Sequence, residues 1–385
     1  MSWGRSGGSG DGTLGGASPL CPARVLVWGS YRGKGVHLFL NRMVSDDISY
    51  SNSSMNLPNI AVVAGGYSGE YSVSLRSASG ILSWIDRSDF SPYLVVVERE
   101  GWFVHLGEGS ESIPVNKDDF SFLSPTGRIR FDYAFITVHG TPGENGLLQG
   151  YLDLVGVPYN TGGVLTEALT FSKYHCNRYL GAFPHLRVAD SVRLRQDMPQ
   201  PSSHELVGRL GLPLFAKPNA GGSSVATSRV NTEAELEQAI REAFTECDEV
   251  LLERFIAGVE VTCGCYEAEG ALHPLPVTEV VPKGAFFDFD AKYNGAVEEI
   301  TPARISPEAT ALIQQLTSEI YRHIDARGII RVDYIIEADG QPTLLEVNTT
   351  PGMTPTSFIP QQVAAAGLTM PQVLTSIIRE RLPQA

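Results

Sequence analysis

The sequence has no run of apolar residues approaching the roughly 18 that a helix needs to cross a bilayer, so no membrane partner is expected. Cysteine is scarce. There are five in 385 residues, at Cys21, Cys176, Cys247, Cys263 and Cys265. The Cys-Gly-Cys at 263–265 is one residue short of a C-x-x-C. Neither number nor spacing writes a disulfide framework or a zinc site. Small buried hydrophobes and reduced thiols are expected, and with them a cytoplasmic protein. Positive charge is in deficit, with 29 Lys and Arg against 43 Asp and Glu and a net charge of −14. That argues against nucleic-acid binding, which needs a cationic surface. It leaves room for small anions, because a few lysines make a local positive site. Two nucleotide motifs are also missing. GGYSGE at 65–70 is not G-x-G-x-x-G, and GSYRGKG at 29–35 lacks the phosphate-loop spacing.

What is present is ordinary globular composition, 43% hydrophobic and 19% charged, in a chain long enough for several cores. Residues 1–54 are rich in Gly and Ser and carry no periodicity; they are expected to be a disordered extension or a mis-assigned start, with Met55 just ahead of the first strong strand. From Asn59 strands alternate with helix-like stretches. NIAVVAGG, SPYLVVVERE and FDYAFITVHG read as strands, and VPYNTG as a fourth. Such alternation predicts a parallel sheet with ligands at the carboxyl ends of its strands, which puts Glu70 and His139 in loops at one edge.

The middle of the chain reads differently. LPLFAKP and VATSRV are strands around the Gly/Ser loop NAGGSS, with Lys217 at its base. Exposed backbone N–H groups beside a lysine suit phosphate oxygens. A helix over NTEAELEQAIREAF follows, with Thr232 and Glu235 forming a capping box and Leu236, Ile240 and Phe244 on one face.

The sharpest signal comes last. A helix over 306–326 starts at Ser306-Pro307 and exits at Gly328. Then GIIRVDYIIE and TLLEVNTT flank Asp339-Gly340, a strong hairpin signal. A two-residue loop there sets Asp333 opposite Glu346 and Arg331 opposite Asn348, with all four side chains on one face. Two opposed carboxylates destabilise a sheet. Either one is protonated, or a cation lies between them, or Arg331 compensates in a salt-bridge network. The all-oxygen set of Asp333, Glu346 and Asn348 suits Mg²⁺ or Mn²⁺ with phosphates completing the shell.

LLEVNTTPGMTPTS resembles the metal-binding strand and loop of ATP-grasp carboxylate–amine ligases. GGYSGEYSVSL, VHGTPGENGLLQGYLDLVGVPYNTG, KPNAGGSSVAT, FFDFDAKY and RVDYII, in that order, resemble the D-alanine–D-alanine ligase family over about 59–380. The resemblance implies an α/β fold: an N-terminal Rossmann-like domain at 55–160, then two ATP-grasp α+β subdomains at 161–257 and 258–385. It implies ATP-dependent joining of two D-alanines through a D-alanyl phosphate, for peptidoglycan precursors, by a homodimer formed through the N-terminal unit.

Roles follow from the resemblance residue by residue. Asp333, Glu346 and Asn348 match ligands of Mg²⁺ or Mn²⁺, with two ions expected. Lys173, Lys217 and Lys292 match lysines at the ATP phosphates or the adenine pocket. Glu253 matches the holder of the adenine amino group, Ile256 the backbone that reads the base, Glu260 the ribose ligand and Phe286 the aromatic beside the base. Glu70 matches the carboxylate that grips the first D-alanine's ammonium group, with Ser223 and Tyr293 as its hydrogen-bonding partners and His139 and Glu144 nearby. Arg331 and the Gly352 N–H match oxyanion stabilisers. Ser357 and the Phe358 N–H match the holders of the second carboxylate. Tyr293, where D-lactate ligases carry phenylalanine, favours D-alanine as acceptor. FFDFDAKYNG is the expected closing loop. NAGGSSVAT departs from the family in lacking a charged residue before the glycine, and Arg254 and Phe255 stand where lysine and tryptophan are common.

Overall fold

A computed structural model describes residues 57–107, 111–222, 225–282 and 297–382. The expectations for residues 1–54 and for FFDFDAKYNG lie outside the described residues. β1 (Asn59–Gly65), α1 (Tyr71–Trp84), β2 (Ser91–Val97), β3 (Trp102–His105), β4 (Ile113–Asn116), β5 (Ser121–Ser124), β6 (Gly127–Arg130) and β7 (Tyr133–Ile136) come first. Their strands form one sheet in the order β6-β5-β4-β3-β2-β1-β7. β1 is parallel to β2 and β7, as alternation predicts, and all but its first residue are buried, as a sheet covered on both faces requires. The other pairings are antiparallel, so the sheet is mixed. Four-residue strands are too short to announce a period, which is why this ribbon goes unread in the sequence. VPYNTG supplies a single bridge, Tyr159 to Ala134, and not a strand.

The second stretch of chain holds α2 (Leu147–Val155), α3 (Val164–Phe171), α4 (Lys173–Leu180), β8 (Arg187–Val188), β9 (Ser191–Arg195), α5 (Ser203–Leu210), β10 (Leu214–Pro218), β11 (Ser228–Val230), α6 (Glu233–Ala243) and β12 (Glu249–Arg254), and all of its strands but β8 form one sheet. Its strand order is β11-β10-β12-β9, all antiparallel. Leu236 of α6 is buried in its core, with Ile240 and Phe244 packed against it. The expected capping box at Thr232 does not form. Thr232 is the N-cap but makes no side-chain cap bond, and the Glu235 carboxylate reaches one residue further back to accept from the Asn231 N–H at 2.8 Å.

The third sheet takes β13 (Val259–Ala268), β14 (Ala271–Pro274), β15 (Thr278–Pro282), β16 (Val297–Ile300), α7 (Pro307–His323), β17 (Ile329–Ile336) and β18 (Pro342–Asn348), followed by α8 (Phe358–Ala365) and α9 (Met370–Arg381). Its order is β16-β15-β13-β17-β18-β8, with β14 on β13. Ser306 caps α7 by accepting from the Ala309 N–H at 3.2 Å. Leu316, Ile320 and Ile324 are buried beneath it. The cores do not follow chain order. β8 leaves the second stretch of sequence to run parallel to β18. Val363, Val373 and Ile377 of α8 and α9 share one core with Leu75 and Ile81 of α1. Burying each such side chain is worth about 1.5–3 kcal/mol, so this shared core ties the last helices to the first sheet.

The last hairpin corrects the expected turn. Its loop has three residues, Ala338-Asp339-Gly340, closed by Gly340 N–H to the Glu337 carbonyl at 2.9 Å, with Gly340 at φ +78°. Next to the loop Ile336 faces Pro342. A register shift between Asp333 and Tyr334 leaves Leu345 unpaired, and beyond it Asp333 faces Glu346 and Arg331 faces Asn348. A bulge inserts one residue on one strand. Here it offsets the extra loop residue, so the expected pairs occur for a reason different from the expected one.

Candidate active site

The hairpin square is a closed network of charge and hydrogen bonds. Arg331 grips Asp333 with two parallel bonds, Nε to Oδ1 at 2.8 Å and Nη2 to Oδ2 at 2.7 Å. Thr262 on β13, directly opposite Asp333, donates to Oδ1 at 2.6 Å, and the Asn348 amide nitrogen donates to Oδ2 at 3.1 Å. Glu346 meets the Lys173 ammonium at 2.8 Å, and Lys173 also donates to the Gly221 carbonyl at 2.7 Å. The Arg331 guanidinium lies 5.3 Å from the Phe358 ring centre. Burial alone would lower the values of Arg331 and Lys173. Asp333 beside the first and Glu346 beside the second more than reverse this, so both cations are held charged. Compensation by Arg331 is therefore present, and Lys173 joins it.

Two carboxylates and an amide on facing strands are hard oxygen donors, a set that fits a divalent cation. Among the described residues no cluster of three or more His, Cys, Asp or Glu side chains is arranged for a metal. Asn348 turns its nitrogen to Asp333. Holding a cation there requires its Oδ1 instead, a flip of the amide.

The Gly/Ser hairpin is fastened to this square by Asn219, which is buried. Its carbonyl accepts from Lys173 N–H at 3.0 Å and its Oδ1 from Tyr174 N–H at 2.8 Å. These are the first amides of α4, whose own N-cap Ser172 makes no cap bond, so the hairpin caps the helix from outside. Asn219 Nδ2 also donates to Ser172 and to Glu249, at 2.9 and 2.7 Å. Behind it Lys217 pairs with the buried Glu253, which accepts from Asn177 of α4 at 3.0 Å. Ile256 is buried just past β12, and Glu260 lies on β13 opposite Ile335.

The other side of the site comes from the first sheet. β1 ends at Gly65 and the chain turns through Gly66, at φ +92° and +105°; a Cβ at Gly66 would stand 2.6 Å from Val138. Only glycine makes this turn, and it delivers Glu70 to the start of α1. Gly222 of the hairpin rests on Glu70, since a Cβ there would meet Oε2 at 2.8 Å. His139 is buried after β7, its Nε2 3.3 Å from Ser77 Oγ. Glu144 accepts from the Gly140 N–H at 2.6 Å. Burial, then the neighbouring Glu70 carboxylate, pushes its carboxyl up to about 8; Glu346 raises it too and Lys173 opposes. Ser357 accepts from the Thr354 N–H at 3.0 Å at the start of α8, and a Cβ on Gly352 would lie 3.0 Å from its Oγ.

The structure thus brings Glu70, His139, Glu144, Lys173, Arg331, Asp333, Glu346, Asn348, Gly352, Ser357 and Phe358 into one linked group. Lys217 and Glu253 form a neighbouring pair reached through α4. Ser223, Phe286, Lys292 and Tyr293 lie outside the described residues. Sequence reasoning misses Thr262, Ser77, the capping role of Asn219, and Glu167. Glu167 of α3 is fully buried and accepts from Thr349, the residue after Asn348, at 2.6 Å; burial raises its carboxyl well above the ordinary value. One signal was available: a lone acid in the apolar helix VLTEALTF.

An α/β sheet followed by two sheets of largely antiparallel strands, meeting at a hard-oxygen site lined by lysine and arginine, defines an ATP-grasp ligase. Comparisons narrow the class. The family models for the D-ala D-ala ligase N-terminus and C-terminus match residues 59–162 and 182–379. The chain is similar to the D-alanine–D-alanine ligase of Porphyromonas gingivalis, with 63% identity over 328 residues, 85% of this chain and 99% of that one. It is 55% identical over 324 residues to that of Parabacteroides distasonis, covering 84% of this chain and 97% of that one. Among solved structures it is similar to D-alanyl-alanine synthetase A from Vibrio cholerae, at TM-score 0.76, 28% identity, and coverage of 86% of this chain and 100% of that one. It is also similar to the VanG D-Ala:D-Ser ligase from Enterococcus faecalis, at TM-score 0.75, 31% identity, and coverage of 84% and 99%. The chain belongs to the D-alanine–D-alanine ligase family, an ATP-dependent family whose reaction supplies peptidoglycan precursors.

Proposed function

We propose that this site joins two D-alanines in two steps, with a D-alanyl phosphate between them. The observation that supports it most is the charge layout: Arg331 and Lys173 hold the facing Asp333 and Glu346 beside Glu70 and the hairpin tip. A carboxylate attacking the γ-phosphate of ATP is anion upon anion, so cations must line its path. Lys173, Lys217 and Lys292 serve the nucleotide phosphates or the adenine pocket. Glu253 takes the adenine amino group, the Ile256 backbone reads the base, Phe286 packs beside it, and Glu260 holds the ribose. Asp333, Glu346 and Asn348 would hold Mg²⁺ or Mn²⁺, as two ions, and a divalent cation there would neutralise phosphate charge.

Glu70, Ser223 and Tyr293 bind the first D-alanine's ammonium group, with His139 and Glu144 around it. Ser357 and the Phe358 N–H hold the second carboxylate. When the second amine attacks, negative charge on the carbonyl oxygen is met by Arg331 and the Gly352 N–H, each such donor being worth on the order of 3 kcal/mol. FFDFDAKYNG closes to keep water from the acyl phosphate. The division at 55–160, 161–257 and 258–385, a homodimer and a cytoplasmic location complete the reading; among the described residues no helix is long and apolar enough to cross a membrane.

The test is ADP release from ATP and Mg²⁺ with D-alanine, against L-alanine, D-lactate, D-serine and no amino acid, with product identity by mass. D-alanine-dependent ADP release with the D-alanyl dipeptide as product is expected. ATP binding without turnover for any acceptor would overturn the reading. A second reading, D-serine as the acceptor, is favoured by the 31% identity to a D-Ala:D-Ser ligase; a mixed dipeptide as the main product would select it.

A further inference from the structure

We propose that Ser77 is a positioning residue that joins the first-substrate histidine to the peptide unit next to the oxyanion amide through one hydroxyl. The inference rests on the roles proposed above for His139 and Gly352. Ser77 lies in α1 seven residues beyond Glu70, two helical turns along the same face, and is fully buried. Its Oγ accepts from the Met353 N–H at 3.2 Å, and the His139 Nε2 stands 3.3 Å away. The two partners are 276 and 62 residues distant in sequence. A buried helical serine without such a role ordinarily bonds back to the preceding turn of its own helix.

The same helix face holds the other side of Met353. A Cβ at Gly80, one turn on, would stand 2.5 Å from the Met353 carbonyl oxygen. Glycine there lets the backbone sit directly on α1. Ser77 and Gly80 thus grip the two peptide units flanking Met353, the residue after Gly352. A hydroxyl has one proton and two lone pairs. One lone pair takes the Met353 amide, and the other lone pair or the hydroxyl proton serves the His139 Nε2, according to the tautomer of the ring. The histidine beside the first D-alanine and the peptide unit adjoining the Gly352 amide, the one aimed at the developing oxyanion, are then held in register by one atom. Nothing in the chemistry of the reaction passes through Ser77 itself.

The experiment uses the full chain as wild type, Ser77→Ala, Ser77→Cys, His139→Ala, the Ser77→Ala/His139→Ala double variant, Gly80→Ala and Arg331→Ala. It reads kcat, the KM for ATP and D-alanine, and thermal unfolding. Ser77→Ala should lower kcat about tenfold to a hundredfold with the KM for ATP unchanged. The double variant should be no slower than His139→Ala alone by more than about twofold, because both changes break the same link. Gly80→Ala, which pushes the Met353 peptide without touching His139, should also lower kcat. If Ser77→Ala does not fold, Ser77→Cys, which keeps the volume but bonds weakly, carries the same expectation. A wild-type kcat in the folded Ser77 variant, or losses that multiply in the double variant, would overturn the role of Ser77. An impaired Arg331→Ala beside an unaffected Ser77→Ala overturns Ser77 alone, while an unimpaired Arg331→Ala overturns the site reading and Ser77 with it.

Discussion

Two pairs of carboxyl groups sit at this site, and they are kept in the fold by different means. Asp333 and Glu346 face each other across β17 and β18, and each has a cation at 2.7–2.8 Å, Arg331 and Lys173. Glu144 and Glu167 lie outside the hairpin, on the loop after β7 and on α3. There burial dominates, and it raises the Glu144 carboxyl to about 8 and Glu167 well above its ordinary value. The first pair is balanced by positive charge, while burial drives the second towards its protonated form. Residue type alone does not set charge in a protein; what desolvates a group and what faces it do.

That contrast makes the order of mutational effects definite. Arg331→Ala should be the most damaging, because it leaves Asp333 among neutral donors only. Breaking a buried pair from one side costs about 3–5 kcal/mol. The oxyanion role proposed for Arg331 adds a factor of about 10²–10³ in kcat to the expected loss. Denaturant unfolding and ADP release measure both, and a variant as stable as wild type would erase the distinction drawn between the two pairs.

Glu144→Gln tests the proton-balanced side through pH. The Glu144 carboxyl titrates at its ordinary 4.5 when unfolded and at about 8 when folded. Between those values the folded state binds the extra proton, so stability falls as pH rises from about 4.5 towards 8. The glutamine variant should flatten that fall, by at most on the order of 3 kcal/mol at pH 7. Unfolding midpoints at pH 5, 6, 7 and 8 show it; parallel curves for variant and wild type would mean that Glu144 is ionised throughout.

The smallest effect belongs to Glu167→Gln. Burial drives this carboxyl towards its neutral form, and a neutral amide of the same shape still accepts from Thr349, so stability at pH 7 should change by less than about 1 kcal/mol. A loss as large as that of Arg331→Ala would show that Glu167 is charged in the fold and would place it with the hairpin pair.

The hairpin pair was readable because its residues are close in sequence and strand pairing has a period of two. Even so, the reading of the turn was wrong by one residue and the bulge at Leu345 restored it. Local pattern therefore predicts which residues meet better than it predicts how. Thr232 teaches the same lesson: the helix starts where expected, but the carboxylate of Glu235 bonds Asn231. The Glu144 side was readable only as a set of residues. Nothing in the alternation of apolar and polar positions says that Ser77 meets Met353, or that Glu167 meets Thr349 across 182 residues.

By itself the sequence determined the element types, the hairpin that opposes Asp333 to Glu346, and, through its ordered motifs, the family and its reaction. These follow from short-range rules, in which side-chain periodicity and turn chemistry act over a few residues. Only the tertiary structure decided which cation serves which carboxylate, that Asn219 caps α4 from the Gly/Ser hairpin, and that burial pushes the Glu144 and Glu167 carboxyls up. Those outcomes depend on burial and on partners brought together from distant segments, and both quantities exist only once the three sheets have packed.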